Sequence, residues 1–291
     1  MNLLFCLDEN YISPLKVMLY SIMDQHQDET LDIYLMYTDI SRGSLQEVDQ
    51  LLSAGGHRFH PVDCTSYLKE VKNIDVDQVK VNRYYSLDMY LWLFAPYFLP
   101  QELDRILYLD PDMVCVNPLT KLYQLDFDGQ WFAAASYDFK NNLIQPINNL
   151  RLGNLSSEKY FNTGMVLMNL DILRQETHAE EIVEAIVEKE KVLYLPDQDI
   201  FNYLYEDKTG QVPWQYYNLD PRPFTLLARL FPEEYDPDWV ENQAVIIHYC
   251  GKHKPWLYRE KYRYTLGDYW FNYEGKLRAY ENSEPKKLSN F

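Results

Sequence analysis

Short apolar runs, each about the length of a buried strand, recur along this chain and alternate with stretches whose apolar residues fall three and four apart. Few architectures accept that alternation. It predicts βα units, a largely parallel central sheet and helices on its faces, an α/β class. The predicted strands are Asn2 to Leu7, Leu31 to Tyr37, Ile106 to Leu109, Trp131 to Ser136, Gly164 to Met168 and Ala244 to Ile247. Ser13 and Pro14 read as the N-cap and first residue of a helix striped with Leu15, Met18, Leu19, Ile22 and Met23. Ser44 to Ala54 reads as a second helix stopped by Gly55-Gly56, and Met89 to Phe98 as a buried, aromatic-rich one. After Asp171, Ala179, Ile182, Val183, Ile186 and Val187 form the inward face of an amphipathic helix whose other face carries glutamates.

With 291 residues, 47% of them hydrophobic, the chain can bury one large core, and no Pro/Gly/Ser-rich linker divides it. Residues 1–256 are expected to form one catalytic domain and 257–291 an aromatic, charged extension packed on it. A net charge of -17 argues against nucleic acid as a partner, although a divalent cation can still mediate binding of a phosphorylated ligand. Cys6, Cys64, Cys115 and Cys250 are scattered, with no CxxC pair, and read as small buried hydrophobes of a reducing compartment. The apolar start is too short for a signal peptide and no run approaches a membrane span, so a cytoplasmic location is expected.

Three predicted strands stop at a residue suited to a polar ligand: Leu7 before Asp8, Leu109 before Asp110, Ile247 before His248. Ligands of open α/β sheets lie outside the carboxyl ends of the strands, so three parallel neighbours would bring these termini to one crevice. Taken singly, each reads first as the ordinary polar end of a strand. Asp110-Pro111-Asp112 is a DxD element, in which two carboxylates reach one hard cation around a proline-stiffened turn. Asp236-Pro237-Asp238 repeats the tripeptide in a polar stretch with no strand before it and reads as a plain turn. His248 to Trp256 has the form HxxGxxKPW. Its imidazole can complete a carboxylate-rich shell around Mn²⁺, its Gly251 admits a phosphate close to the backbone, and its Lys254 adds a point charge. Tyr160-Phe161-Asn162-Thr163-Gly164 and Asp197-Gln198-Asp199 supply side chains that grip sugar hydroxyls. Their plainer reading is an Asx-turn and a helix N-terminus capped by Asp197.

Together with Leu7-Asp8-Glu9-Asn10-Tyr11 and Leu107-Tyr108-Leu109 before the DxD, these segments fall in the order and spacing of glycosyltransferase family 8. The chain resembles that family, which holds bacterial lipopolysaccharide galactosyl- and glucosyltransferases and glycogenin, from residue 2 to about 256. The resemblance implies the GT-A fold, a Rossmann-like α/β domain with a mixed, mostly parallel sheet that binds Mn²⁺ (Mg²⁺ as a substitute) and a UDP-hexose. It matches Asp110, Asp112 and His248 to the metal ligands; Leu7, Asp8, Asn10 and Tyr11 to the uracil and ribose positions; and Gly251 and Lys254 to the diphosphate clamp. Asp138, Asn162, Asp197 and Gln198 match the hexose contacts. It further implies retention of anomeric configuration, by front-face attack or through a transient adduct. Gln198, beside Asp197, matches the residue discussed for the adduct role. One position departs: the family's arginine before Leu-Phe-Ala-Pro is Trp92 here. Tryptophan cannot neutralise phosphate, so that contact must come from elsewhere, with Arg83 as one candidate.

Two other classes compete. Leu109 to Val114 also resembles the nucleophile motif of haloacid-dehalogenase-like phosphatases, though three βα units precede it here; the other is a non-catalytic UDP-sugar-binding protein. A glycan, glycolipid or glycoprotein is the expected acceptor, and glucose and galactose are both open as the sugar moved. Lys252 to Tyr264 interleaves basic and aromatic residues and suits either a peripheral contact at the inner face of the membrane or, the favoured use, a helix packed on the domain.

Overall fold

The computed structural model describes residues 1–65, 87–136, 138–154 and 156–283, with backbone alone for 87–88 and 138–144. Its centre is a seven-stranded sheet in the order β3-β2-β1-β4-β7-β6-β8. The strands are β1 Asn2–Cys6, β2 Asp32–Tyr37, β3 Arg58–Asp63, β4 Arg105–Leu109, β6 Phe132–Ser136, β7 Phe161–Asn169 and β8 Thr209–Pro213. β3, β2, β1 and β4 run parallel, β7 is antiparallel to both of its neighbours, and β8 runs parallel to β6. The sheet is therefore mixed and mostly parallel, as expected. After their first residues, Asn2 and Arg105, β1 and β4 are buried and apolar because helices cover both faces. Leu3 and Phe5 enter one core layer, with the helices Ile12–Gln25, Arg42–Ala54 and Gly267–Ser283. Leu4 and Cys6 enter the other, with Ala179–Lys189 and Pro196–Tyr205. Proline is confined to positions a ladder tolerates: Pro61 in edge strand β3, and Pro213 at the end of edge strand β8.

Several local expectations are corrected. Asp8 caps a 3-10 turn over Glu9–Tyr11, so the first helix begins at Ile12 and Pro14 lies within its first turn rather than opening it after a Ser13 cap. The aromatic segment is a 3-10 helix, Leu87–Phe94, followed by one α turn, Ala95–Phe98. Val187 is 57% exposed, because the buried stripe of its helix runs through Ala179, Ile182, Ala185 and Ile186. Asp236 is a helix cap, not a plain turn: its side chain accepts from the Trp239 N–H at 2.7 Å at the head of Pro237–Gln243. The segment after Gly251 is no continuous helix. One turn, Pro255–Tyr258, ends where Arg259 takes a φ of 37°. Trp256 packs on Trp270 with centroids 4.5 Å apart, and Trp270, Tyr273 and Leu277 of the final helix are buried in the first core layer. Among the described residues no helix is long and apolar enough to cross a membrane.

The third ligand-bearing terminus arrives by a route not expected. Ile246–His248 is not a parallel neighbour of β1 and β4. As β9 it forms a separate two-stranded sheet with β5, Met113–Cys115, antiparallel and with Met113 opposite His248. Because β5 begins one residue after Asp112, that pairing carries the imidazole to the acidic turn directly.

Candidate functional site

The chain crosses between β1 and β4, where the order of strands reverses, and the carboxyl ends of both strands open on a cavity of about 470 Å³. Leu7, Asp8 and Tyr11 line it from β1, and Asp110 and Asp112 from β4. Asn162, Thr163 and Gly164 reach it from β7, whose register against β6 jumps from Val166 opposite Ala134 to Asn162 opposite Ala135. Such an irregularity re-aims side chains and backbone away from the ladder. Asp197 and Gln198 come from the first turn of Pro196–Tyr205, which Pro196 opens with Leu195 at the cap position, so Asp197 is not the cap. His248, Gly251 and Lys254 complete the far wall.

A ligand-type oxygen or nitrogen from each of Asp110, Asp112 and His248 lies within 4.8 Å of the others. His248 Nε2 is 3.6 Å from Asp110 Oδ2 and 3.3 Å from Asp112 Oδ1. The tautomer follows from one unambiguous donor. The Gly164 backbone N–H donates to Asn162 Oδ1 at 3.0 Å, which identifies that atom as oxygen. Asn218 then donates its Nδ2 to the same oxygen at 2.6 Å, turning its own Oδ1 toward His248 Nδ1 at 2.7 Å. Nδ1 must therefore carry a proton, and Nε2 is the atom that faces the acids. This is the outer-shell arrangement that orients a metal-ligating histidine. Two carboxylates and an imidazole nitrogen suit a divalent first-row cation, so the residues fit the metal that the resemblance implies. Asn218 has no exposed surface; Leu219 N–H donates to Ile246 C=O and His248 N–H to Leu219 C=O, both at 2.9 Å, which holds the two segments in step. Removing the Asn218 amide with Asn218→Ala is expected to weaken Mn²⁺ binding by about 10–100-fold, measured by calorimetry, because the ring loses its orienting partner. Unchanged affinity would show that packing alone sets the ring.

Charge is unevenly shared. Burial and then the neighbouring Asp112 charge push the Asp110 carboxyl up to about 7, and Tyr108 donates to it at 2.7 Å. Burial would raise Asp112 too, but Lys254, bonded to its Oδ2, holds it well below the usual carboxylate range. His248 is raised despite burial, by Cys250 and Asp112. A proton thus resides on the Asp110–His248 side of the cluster when no cation is present, and a cation must displace it. With the folded values of Asp110 and His248 raised, Mn²⁺ affinity should fall as pH drops through about 7, and binding should release protons. Titrations at pH 6.5 in buffers of differing ionisation enthalpy should give different heats; identical heats would refute the displaced proton.

The sugar-type side chains are locked to one another. Asn162 Nδ2 donates to Gln198 Oε1 at 3.0 Å, and the Thr163 N–H approaches the same oxygen at 3.4 Å. Asp197 accepts from Thr163 Oγ1 at 3.1 Å and from Trp92 Nε1 at 3.3 Å. Burial raises Asp197 to about 6 against those two bonds. Trp92 is fully buried and stacks on Tyr108 with centroids 5.0 Å apart and planes at 13°. It therefore links the Asp197 wall to the tyrosine that donates to Asp110.

The profile of the family described as Glycosyl transferase family 8 matches residues 2–260. The chain belongs to glycosyltransferase family 8. This family 8 glycosyltransferase is 26% identical over 262 residues to a lipopolysaccharide 1,2-glucosyltransferase of Escherichia coli K12, covering 88% of this chain and 72% of that one. It is 26% identical to general stress protein A of Bacillus subtilis, covering 94% and 92%, and 24% identical to a lipopolysaccharide 1,3-galactosyltransferase of Salmonella typhimurium, covering 88% and 72%. Among solved structures it is similar to the galactosyltransferase LgtC, crystallised with donor and acceptor sugar analogues, at a TM-score of 0.75, 23% identity and 98% coverage of both chains. That likeness establishes the GT-A fold. Membership of the family removes the phosphatase alternative.

Of the residues matched through the resemblance, Leu7, Asp8, Tyr11, Asp110, Asp112, Asn162, Asp197, Gln198, His248, Gly251 and Lys254 line the one cavity. Asn10 is exposed and is not among them; its N–H instead donates to Asp8 Oδ1 at 2.9 Å. The Asp138 side chain and Arg83 lie outside the described residues. Lys254, read as a point charge for phosphate, is buried with its ammonium on Asp112 and on the Tyr249 carbonyl at 2.9 Å. Sequence reasoning gave no role to Asn218, Tyr108 or Arg222, the last two of which also line the cavity. Only Arg222 had a usable signal: Asp220-Pro221 is a helix-start signature.

Proposed function

We propose that this protein is a retaining hexosyltransferase that moves glucose or galactose from a UDP-sugar to a hydroxyl of a glycan, glycolipid or glycoprotein, forming an α-linkage with Mn²⁺ in the Asp110–Asp112–His248 site. One observation carries the reading: the two acids and the imidazole share a cavity with Asn162, Asp197 and Gln198, side chains of the kind that hold sugar hydroxyls. Glucosyl- and galactosyltransferases among the relatives support a hexose. When bound, the cation supplies positive charge against the diphosphate as it departs. Asp110, Asp112 and His248 Nε2 would hold it, Asp8 and Tyr11 would bracket the nucleoside end, and Asp197 and Asn162 would orient the sugar. Fixed donors and acceptors of this kind act without reorganising as charge develops.

The bonding of Gln198 favours front-face attack over an adduct. Its Oε1 already faces Asn162 Nδ2 and the Thr163 N–H, and a nucleophile must present a lone pair to the anomeric carbon. Gln198→Ala is accordingly expected to slow transfer by about 10²-fold, the scale of losing one positioning contact, while leaving turnover measurable. Complete loss of transfer, with UDP binding intact, would instead support the adduct. The function itself is tested by a screen of UDP-sugars, reading UDP release with Mn²⁺ and with chelator. Release from UDP-glucose or UDP-galactose that requires the metal is the expected result. Binding of UDP with no release from any donor, over several acceptors, would indicate a binding protein.

A further inference from the structure

Arg222 lies in the first turn of the helix Pro221–Leu230 and stands on the cavity wall beside Gly251. Its guanidinium is aimed by Asp220. That carboxylate, with no exposed surface, accepts from Arg222 Nε at 2.9 Å and Nη2 at 2.6 Å, and also from the Arg222 backbone N–H at 2.8 Å. A planar fork held by a buried acid is oriented before any ligand arrives, so little rotamer freedom is left to lose on binding. The Nη1 end lies against Gly251, where an added Cβ would stand 3.0 Å from it, and Gly251 holds a φ of +82°. Backbone without a side chain and a directed guanidinium thus share one stretch of wall, on the loop that joins His248 to Lys254. Among the described lining residues the cations besides His248 are Lys254 and Arg222; each pairs with a buried acid, Lys254 with Asp112 and Arg222 with Asp220, and the Lys254 side chain is only 11% exposed. The Arg222 side chain keeps 42% of its surface exposed.

We infer that Arg222 is an anion-binding arm of this site that takes a phosphate oxygen of a substrate, with Asp220 as its positioning residue. The identity of that phosphate rests on the nucleotide-sugar reading. It comes either from the donor diphosphate or from a phosphate carried by the acceptor. Asp220 and Arg222 together carry no net charge, so what they offer is directed N–H groups rather than a long-range field.

The test titrates UDP with Mn²⁺ into the wild type, Arg222→Gln and Arg222→Lys, with thermal melts on each. For the donor diphosphate, Gln should weaken UDP binding about tenfold, the loss of one hydrogen bond to a charged group, and Lys should recover only part because an ammonium is not a fork. A second arm titrates inorganic phosphate into protein saturated with UDP and Mn²⁺. Phosphate binding that disappears in Arg222→Gln, with UDP affinity unchanged, assigns the arm to the acceptor. Unchanged UDP affinity together with no Arg222-dependent phosphate binding overturns the inference. If Arg222→Gln melts early, the Lys variant carries the comparison. A wild type that fails to bind UDP would strike the nucleotide-sugar reading instead, and phosphate titrated alone into the same variants would still decide the role of Arg222.

Discussion

Asp110→Asn is expected to abolish metal-dependent transfer, by at least about 10³-fold, while leaving the melting temperature unchanged or raised. The loss follows from removing one of two carboxylates in the only three-ligand cluster found among the described residues. The unusual half is the stability. Without a cation, burial and the Asp112 charge both oppose ionisation of Asp110, which is why its carboxyl is pushed up to about 7. An amide of the same shape removes that penalty and can still accept from Tyr108. Its side chain is 32% exposed, so solvent in the cavity already softens the repulsion and the gain should be small. A site whose acid is kept at a cost to the folded state is the pattern expected of function rather than structure. Asp112→Ala should be as inactive but should melt lower. Asp112 and Lys254 are both buried and bonded, and removing the acid leaves an uncompensated ammonium, at about 3–5 kcal/mol. Activity and thermal melts of the two variants, measured side by side without added metal, check this. Equal melting temperatures, or metal-dependent turnover in Asp110→Asn near that of the wild type, would overturn the assignment of the cluster.

The parts of this fold that were readable in advance are those whose signal is local. β1 and β4 announce themselves as apolar runs that stop at an aspartate, since the stretch of a strand that is buried on both faces is apolar until it leaves the core. The small sheet did not. β9 is three residues long and its partner β5 lies more than 130 positions earlier, so no periodicity within either segment encodes the pairing. The convergence of His248 with the acids was therefore anticipated from chemistry, and its mechanism was not. Asp236-Pro237 and Asp220-Pro221 carry the same start-of-helix signature, yet the first was read as a turn because its surroundings are polar. Amphipathic helices on a surface can have polar surroundings too, and the capping residue outweighs them. Asn218 had no signal at all. A buried asparagine matters only through what it touches, and Asn162 and His248, which its side chain bonds, are distant in sequence. Tyr108 was hidden differently: in a strand it reads as core, and it is core, with a hydroxyl that reaches Asp110.

Gly164→Ala, a single methyl, is expected to cost about 100-fold or more in Mn²⁺-dependent UDP binding. The position has no unusual φ that would require glycine, so the constraint is space. A Cβ there would lie 2.6 Å from His248 Nδ1 and 2.8 Å from the Met113 methyl. The methionine can turn aside, being unbranched and soft. The imidazole cannot. Its Nδ1 is tied to Asn218 at 2.7 Å, and the strand that carries it is paired through Met113. Moving the ring away from residue 164 either breaks the Asn218 bond or carries Nε2 out of reach of Asp110 and Asp112, and both routes lose the third ligand. The Gly164 N–H that starts the Asn162–Asn218 chain shifts with the same backbone, so the tautomer loses its support as well. Overpacking of this kind typically costs about 1–3 kcal/mol, which a domain of this size tolerates without unfolding. Titration of UDP with and without Mn²⁺, beside a thermal melt, separates the two effects. A variant that melts near the wild type but shows no metal dependence would match this reading, whereas wild-type metal dependence in Gly164→Ala would mean the ring has room to spare and that His248 is not held for coordination.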